Sequence, residues 1–391
     1  MSDYVPFQIQ FEIIKRLPLK SLLKFRSVSK PWKSLIDSSE FIAEYNVSQT
    51  QPQRLSVWYN DPWSAKDRFV SFVDDDTLAL HEFTSTVPKL LKNLRSVVGS
   101  SHGLLCLYSY YKDPCRSTND ETVKGVVLWN PSIRKSVYIT THESSLWCEE
   151  QSTVLGFGVS PATNDPTVVK FKRVTYGDPR TKDHMHWVVE VFTLSAGCWR
   201  IPSSKPPNGT ITLTWEQVVI DKFIYRFCFD GIPSLRNNLI MSYDMTTEEI
   251  RMVDLPDFLA HQRCVNLSIS KVWESLAVLE YSTNINKQVC VVWMMDRVVP
   301  NLFTKLFTIK TPNIWDFRPN ITLGFTKSGK PILGLKGHDQ EPAALVVYEP
   351  LSEHIKEIGI YGRYGLFFVG SYMETLLLHE QVNYRVYSYN N

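Results

Sequence analysis

A small all-α unit of three helices at the N-terminus, followed by a large all-β domain built as a β-propeller of about six blades, is the fold that three observations predict. The apolar period changes near Pro52, the strands beyond it are short, and one strand-and-turn theme recurs about every 50 residues.

The helical region occupies the first 46 residues. Pro6 fits a first helical turn, where a missing N–H costs nothing, and Ile9, Ile13 and Leu17 recur every four residues along one face. Pro18 disfavours helical geometry at Leu17 and ends that helix. Leu19, Leu22, Leu23 and Phe25 restart the apolar stripe as a second helix. Ser29 caps a third, with Pro31 in its first turn and Trp32, Leu35 and Ile36 on one face before Ser38 and Ser39.

Beyond Pro52 the runs are Leu104 to Tyr108, Val126 to Trp129, Val168 to Val174, Val188 to Leu194, Ile224 to Phe229, Leu276 to Tyr281, Leu345 to Tyr348 and Thr375 to His379. They are rich in Val, Tyr, Phe and Trp and are punctuated by Gly, Pro, Asn and Asp, which marks strands. Five of the recurrent themes turn near residues 130, 194, 244, 295 and 349, separated by 64, 50, 51 and 54 residues. A repeat of that size with three or four strands is a propeller blade. A sixth blade would close the ring by pairing the chain end, Val382 to Tyr389, with strands from Leu55 to Phe83. Kelch and Trp-Asp signatures are missing, so the propeller rests on period alone, and a pair of large β-sandwiches would give similar strand spacing.

Composition excludes several classes. The chain has 391 residues, 43% hydrophobic and 21% charged, which fits neither wholesale disorder nor a membrane protein. Its longest apolar run, Val289 to Met295, is far short of a bilayer span, and Asp3, Gln8, Gln10 and Glu12 occupy the place of a signal peptide's apolar core. The expected location is cytoplasmic, nuclear or both. A formal charge of +2, from 42 basic and 40 acidic residues, offers no global field for nucleic acid or anionic lipid. Seven cysteines form no CxxC pair and read as small buried hydrophobes. The sequons at Asn46, Asn208, Asn266 and Asn320 are expected to stay unmodified without a secretory entry signal.

Gly99-Ser100-Ser101-His102-Gly103 has the form of a nucleophile elbow, but an elbow needs a helix after it, and a strand begins at Leu104. The better reading is a tight turn, with Gly99 and Gly103 at positive φ. His184 and His186 lack a nearby carboxylate or cysteine at ligand spacing. Asp74-Asp75-Asp76 lacks the Gly and Glu of a calcium loop and reads as a hairpin tip between Phe69 to Val73 and Leu78 to Leu80. No catalytic residue, metal site or cofactor is expected.

The N-terminal segment resembles an F-box over about residues 3 to 44. Val5-Pro6, Glu12-Ile13-Ile14, the run from Leu17-Pro18 through Leu22-Leu23-Lys24-Phe25 to Val28-Ser29-Lys30, and Trp32 arrive in the F-box order. Gly99 to Leu107 is similar to the Gly-Ser-Cys-Asn-Gly-Leu string of plant F-box proteins, and Leu128-Trp129-Asn130-Pro131-Ser132 follows. Together they resemble the F-box associated (type 1) family, the plant group that includes S-locus F-box and F-box/kelch-like proteins. Val5, Ser101 and His102 depart from its usual Leu, Cys and Asn.

The resemblance implies an F-box over residues 1–46 and a substrate-recognition propeller over 47–391, joined in the substrate receptor of a Skp/cullin/F-box ubiquitin ligase. Its partners would be a Skp-type adaptor, cullin through that adaptor, and a target protein. Adaptor binding is assigned to Pro6, Ile9, Ile13, Leu17, Pro18, Leu22, Leu23 and Trp32. Physics agrees, because three short helices cannot bury enough surface to stand alone. Target contacts are expected on long loops rich in aromatic and charged residues: Tyr59 to Arg68 around Trp63, Tyr108 to Lys124 around Tyr110 and Tyr111, and Tyr176 to Trp187 around Arg180. A propeller-type sugar binder or hydrolase, or a scaffold without a ligase role, remain the rival readings.

Overall fold

A computed structural model describes residues 5–47, 53–75, 77–82, 88, 91–112, 122–141, 149–175, 185–230, 237–263, 266–284, 287–299, 301–310, 322–336, 341–381 and 385–387. Helices α1 (Phe7–Lys15), α2 (Leu19–Phe25), α3 (Lys30–Ile36) and α4 (Ser39–Val47) come first. Pro6 and Pro18 stand at the N-caps of α1 and α2, and the Ser29 hydroxyl accepts the Trp32 N–H at the start of α3. The fourth helix is a correction to the three expected. Ser38 caps it by accepting the Phe41 N–H at 3.2 Å, so the serines that read as a stop also mark a new start.

The β domain opens with β1 (Arg54–Asn60), β2 (Asp67–Val73) and β3 (Leu80–Glu82). The second group is β4 (Leu91–Ser101), β5 (Leu104–Lys112), β6 (Thr122–Asn130) and β7 (Lys135–Thr140). A third holds β8 (Glu149–Val159), β9 (Pro166–Thr175), β10 (Met185–Thr193) and β11 (Trp199–Arg200), and a fourth β12 (Ile211–Ile220), β13 (Phe223–Asp230), β14 (Asn238–Asp244) and β15 (Ile250–Asp254). Helix α5 (Asp257–Ala260) leads to β16 (Leu267–Val272), β17 (Ser275–Asn284), β18 (Lys287–Met295) and β19 (Phe303–Lys310). Next come β20 (Thr322–Phe325), β21 (Pro331–Lys336), β22 (Ala343–Glu349) and β23 (His354–Gly362), and last β24 (Phe367–Tyr372) and β25 (Arg385–Tyr387).

Each group of four forms one antiparallel sheet, and β24 completes the first by pairing with β1, which makes six blades. The first strands β4, β8, β12, β16, β20 and β24 touch one another in turn and close a ring. Closure between the chain's two ends was expected, but with the wrong segment. Residues 367–372 supply the innermost strand, whereas β25 adds in parallel to the outer edge of β7. The five turns expected from the period are the ends of the third strands β6, β10, β14, β18 and β22, and β2 is their sixth counterpart.

The propeller core is divided into six slabs, one in each gap between neighbouring blades. Period two explains how one strand serves two slabs. Leu105 and Leu107 of β5 face the first blade, while Leu104 and Cys106 face the third. In β22, Leu345 and Val347 face the first blade, and Ala344, Val346 and Tyr348 the fifth. Both faces are buried, which is why the sequence there reads as unbroken apolar runs.

A bulge in β12 between Leu213 and Gln217 is held by Arg226, which is fully buried. Its guanidinium donates to the carbonyls of Thr214 and Trp215 at 2.6 Å, Glu216 at 3.4 Å and Leu155 at 2.6 Å. Burial lowers its pKa to about 9, so it remains a cation at neutral pH.

Candidate docking surfaces

In antiparallel blades, the turns after the first and third strands lie on one face of the ring, and those after the second and fourth lie on the other. The helical unit sits on the first of these faces. Its core, Ile14, Leu19, Leu22, Leu35, Ile36, Phe41 and Tyr45, is completed by Leu376 from beyond β24 and flanked by Ile133 from the β6–β7 turn.

Residues 373–381 therefore form a strap between the ring and the helices. Thr375 to His379 was expected as a strand, and here the structure differs. The Asn130 amide donates to the carbonyls of Thr375 at 2.9 Å and Leu377 at 2.7 Å, which replaces a ladder with a side-chain clamp. Lys135 donates to the Gln381 carbonyl, and Ser132 bonds the Tyr372 hydroxyl at 2.6 Å. Gly103 has φ +80°, and a Cβ there would lie 2.1 Å from the Met373 carbonyl oxygen, so only glycine admits the strap.

On the helical side, Arg26 grips Asp37 through both carboxylate oxygens, and Asp37 meets His379 Nε2 at 3.1 Å. His379 Nδ1 lies 2.8 Å from the Leu376 carbonyl oxygen. A neutral imidazole carries one ring proton and serves only one of these acceptors. Protonation would serve both, but burial lowers the His379 pKa. Burial also raises the Asp37 pKa, yet Arg26 and His379 outweigh it and hold the carboxyl below its usual value. Glu380 completes a group of three metal-ligand types there, but Arg26 already occupies Asp37.

The outward side of the helices carries an apolar stripe. Ile9 and Ile13, one turn apart on the same face of α1, are 51% and 54% exposed, and Phe7, Val5 and Val28 are further exposed apolar residues of the unit. Of the residues assigned to adaptor binding, Pro6, Ile9, Ile13 and Pro18 are exposed, and Leu17, Leu23 and Trp32 are half-buried. Leu22 is a correction. It is fully buried and packs the helices together, so it offers nothing to a partner. The indole of Trp32 donates to Gln10 at 3.1 Å and packs edge-on against Phe25, which ties α3 to α1 and α2.

The opposite face of the ring collects the connections after second and fourth strands. The segment 61–66 follows β1, the connection between β5 and β6 leaves at Lys112, and that between β9 and β10 leaves at Thr175. All three loops expected to meet a target are thus bounded by strand ends on one face of consecutive blades. Trp63 is 75% exposed, with its ring 6.3 Å from that of Tyr361. Tyr110 and Tyr111 differ from expectation, because they belong to β5 rather than to the loop that follows it. Arg180 and the tips 113–121 and 176–184 lie outside the described residues.

Comparison with known proteins agrees with this division. The F-box domain profile matches residues 5–43, and that of the F-box associated beta propeller domain matches 104–377, more than half of the chain. The chain belongs to the F-box associated beta propeller family. Among curated relatives, the Arabidopsis thaliana F-box protein At1g30790 is 24% identical, with 92% of this chain and 90% of that one aligned. The putative F-box protein At3g10430 of the same plant is 25% identical over 81% and 79% of the two chains. The Arabidopsis F-box/kelch-repeat protein At3g23880 is 24% identical over 80% and 81%. A solved silkworm structure, Bombyx mori GH32 beta-fructofuranosidase BmSUC1, aligns at a TM-score of 0.39 and 10% identity over 68% and 62% of the chains, too distant to bear on activity.

With the family in hand, the remaining sequence motifs find structural roles in this F-box propeller. The serine string spans the β4–β5 hairpin. Ser101 is buried, and its hydroxyl accepts the Val159 N–H at 3.1 Å while lying 3.1 Å from His102 Nδ1. His102 takes positive φ beside Gly103, whereas Gly99 does not; a Cβ on Gly99 would instead strike Gln217 at 2.4 Å. Burial, aided by Lys271, lowers the His102 pKa. His186 is exposed on β10, and His184 lies outside the described residues. Asp75 caps its own turn through Thr77 and Leu78, as a hairpin tip does, and Asp76 lies outside the described residues. Cys106, Cys228 and Cys290 are buried free thiols, and burial pushes Cys228 up to about 12. Cys198 is half-buried. Sequence reasoning missed Phe7 and Val28 on the exposed surface, although apolar residues beside the Pro6 and Ser29 caps could have flagged them.

Proposed function

We propose that this protein is the substrate receptor of a Skp/cullin/F-box ubiquitin ligase. Its F-box takes a Skp-type adaptor, and through it cullin, while the propeller face away from the F-box holds a target protein. One observation carries the reading: the exposed apolar stripe of α1 and the aromatic loop around Trp63 belong to two ends of a single packed body. Such a receptor needs no catalytic group, since its effect is to raise the target's local concentration near a ligase that carries the chemistry. Action in the cytoplasm, the nucleus or both belongs to the same reading.

The test is affinity purification of the full chain followed by mass spectrometry, beside an Ile9→Ser/Ile13→Ser variant. An anchor commonly contributes about 2 kcal/mol, so the pair should weaken adaptor capture by roughly a hundredfold or more. The thermal midpoint should hold, because both side chains are largely exposed. Replacement of the 61–66 tip by Gly-Ser should remove the target and keep the adaptor. Undiminished adaptor capture by the double variant would reject the docking stripe. Ubiquitination of a captured target that needs no adaptor would reject the receptor reading.

A further inference from the structure

The F-box and the ring share one uninterrupted piece of chain. β24 ends at Tyr372, and Leu376, four positions on, is already inside the F-box core. Between them the Asn130 clamp grips the carbonyl of Thr375 and, just beyond, that of Leu377, and His379 meets Asp37 of the F-box. β24 is also the strand that closes the first blade, through its pairing with β1 over Arg54 to Tyr59. The last strand of closure and the last residue of the F-box core are therefore held by the same short segment, with little slack between them.

We propose that residues 373–381 couple F-box integrity to ring closure, so that a partner binding the seated F-box also tightens the first blade on the far side of the seam. Leu376 leaves the F-box core only if the strap lifts, and a lifted strap frees the end of β24. The reverse holds equally, because coupling between two equilibria is reciprocal. Ile42 of α4, which packs both in the F-box and against the slab between the second and third blades, adds a second bridge at the same seam. Adaptor occupancy and target presentation would then be linked through protein stability, with no movement of either binding surface. This consequence for an adaptor rests on the receptor reading above, whereas the coupling itself does not.

Hydrogen exchange of the full chain, read by mass spectrometry, separates the two. Without any adaptor, Phe41→Ala in the F-box core should speed exchange in β24 and β1 by about tenfold or more, while β17 and β18 in the fifth blade stay unchanged. Ile36→Val, too mild to unfold the chain, should give the same pattern at smaller amplitude. A Skp-type adaptor at a hundred times its dissociation constant should slow exchange in β24 and β1 by up to about a hundredfold. Asn130→Ala together with His379→Ala should abolish that slowing while adaptor capture persists, and His379→Gln should restore part of it. Changes confined to α1–α4, with β24 and β1 untouched by the core substitutions, would overturn the coupling. An adaptor that fails to bind would instead count against the receptor reading, and the adaptor-free variants would still decide the coupling.

Discussion

The propeller and the F-box solve the same burial problem in opposite ways. Every blade is covered on both faces by its neighbours, so even polar side chains such as Arg226 and the Lys170–Glu190 pair are enclosed. The F-box has four short helices and a core completed by one borrowed leucine, and it leaves Phe7, Ile9 and Ile13 half in water. A closed ring covers the faces of every blade without a partner and leaves only short strand edges, whereas the F-box is unfinished on two sides. The strap covers one, and the other is free to be met by another protein.

The sharpest way to break this comparison is to open the ring from within. Arg226→Met should cost about 4 kcal/mol, because four carbonyls lose a charged donor in a buried site. Urea unfolding should show this loss, and stability close to wild type would mean that the bulge relaxes to satisfy its own backbone.

A smaller effect should separate the two apolar populations of the F-box. Leu22→Ala empties part of its core and should cost about 3 kcal/mol of F-box stability, seen as exchange in α1–α4. The Ile9→Ser/Ile13→Ser pair should leave stability unchanged within about 0.5 kcal/mol, since exposed positions rarely matter to folding. Equal destabilisation by both would show that the stripe is already covered within the chain.

The seam should also respond to acid, and its sign follows from burial. The His379 pKa is lowered in the folded chain, so its contribution is present above the unfolded value of 6.5 and is lost as pH falls below it. Asp37, also lowered, adds to the loss at still lower pH, below its usual carboxylate range. The stability difference between wild type and His379→Gln, about 1 kcal/mol for one buried hydrogen bond, should therefore shrink between pH 7.5 and pH 5.5. A difference that grows on acidification would mean that the protonated ring, bonded to both Asp37 and Leu376, is the native form.

Much of this architecture was legible because period and composition act locally. The third strands β6, β10, β14 and β22 are largely buried on both faces, and β18 is buried on one and half-buried on the other, so their apolar runs stand out and their turns give the blade repeat. The F-box was legible through Pro6, Pro18 and Ser29, whose backbone preferences punctuate helices wherever they occur. What failed was long-range. Leu376 carries the same apolar signal as a strand residue, and nothing local says that its neighbours' carbonyls go to Asn130. Leu22 and Ile9 likewise look alike in sequence, because a short helix with apolar residues on two faces does not say which face the rest of the chain covers. The shared face of the three loops was illegible for the same reason, since it depends on which strand of each blade lies innermost.

The smallest expected effect concerns the residue that most resembles a nucleophile. In an elbow, Ser101 would stand exposed at a helix N-terminus; here it lies in a hairpin with its hydroxyl turned to the Val159 N–H of the neighbouring blade. Its role is to join the second blade to the third at the inner strands. Ser101→Ala removes that acceptor and should cost about 1 kcal/mol, while Ser101→Cys keeps a weak sulfur acceptor of similar size and should cost less. Urea unfolding midpoints in the order wild type, Cys, Ala would support the hydrogen bond as its function. A fluorophosphonate probe should leave the native protein unlabelled, because a buried hydroxyl with no helix behind it has neither access nor an oxyanion hole. Covalent labelling at Ser101 would revive the hydrolase reading, and with it the idea that the ring, rather than its partners, does chemistry.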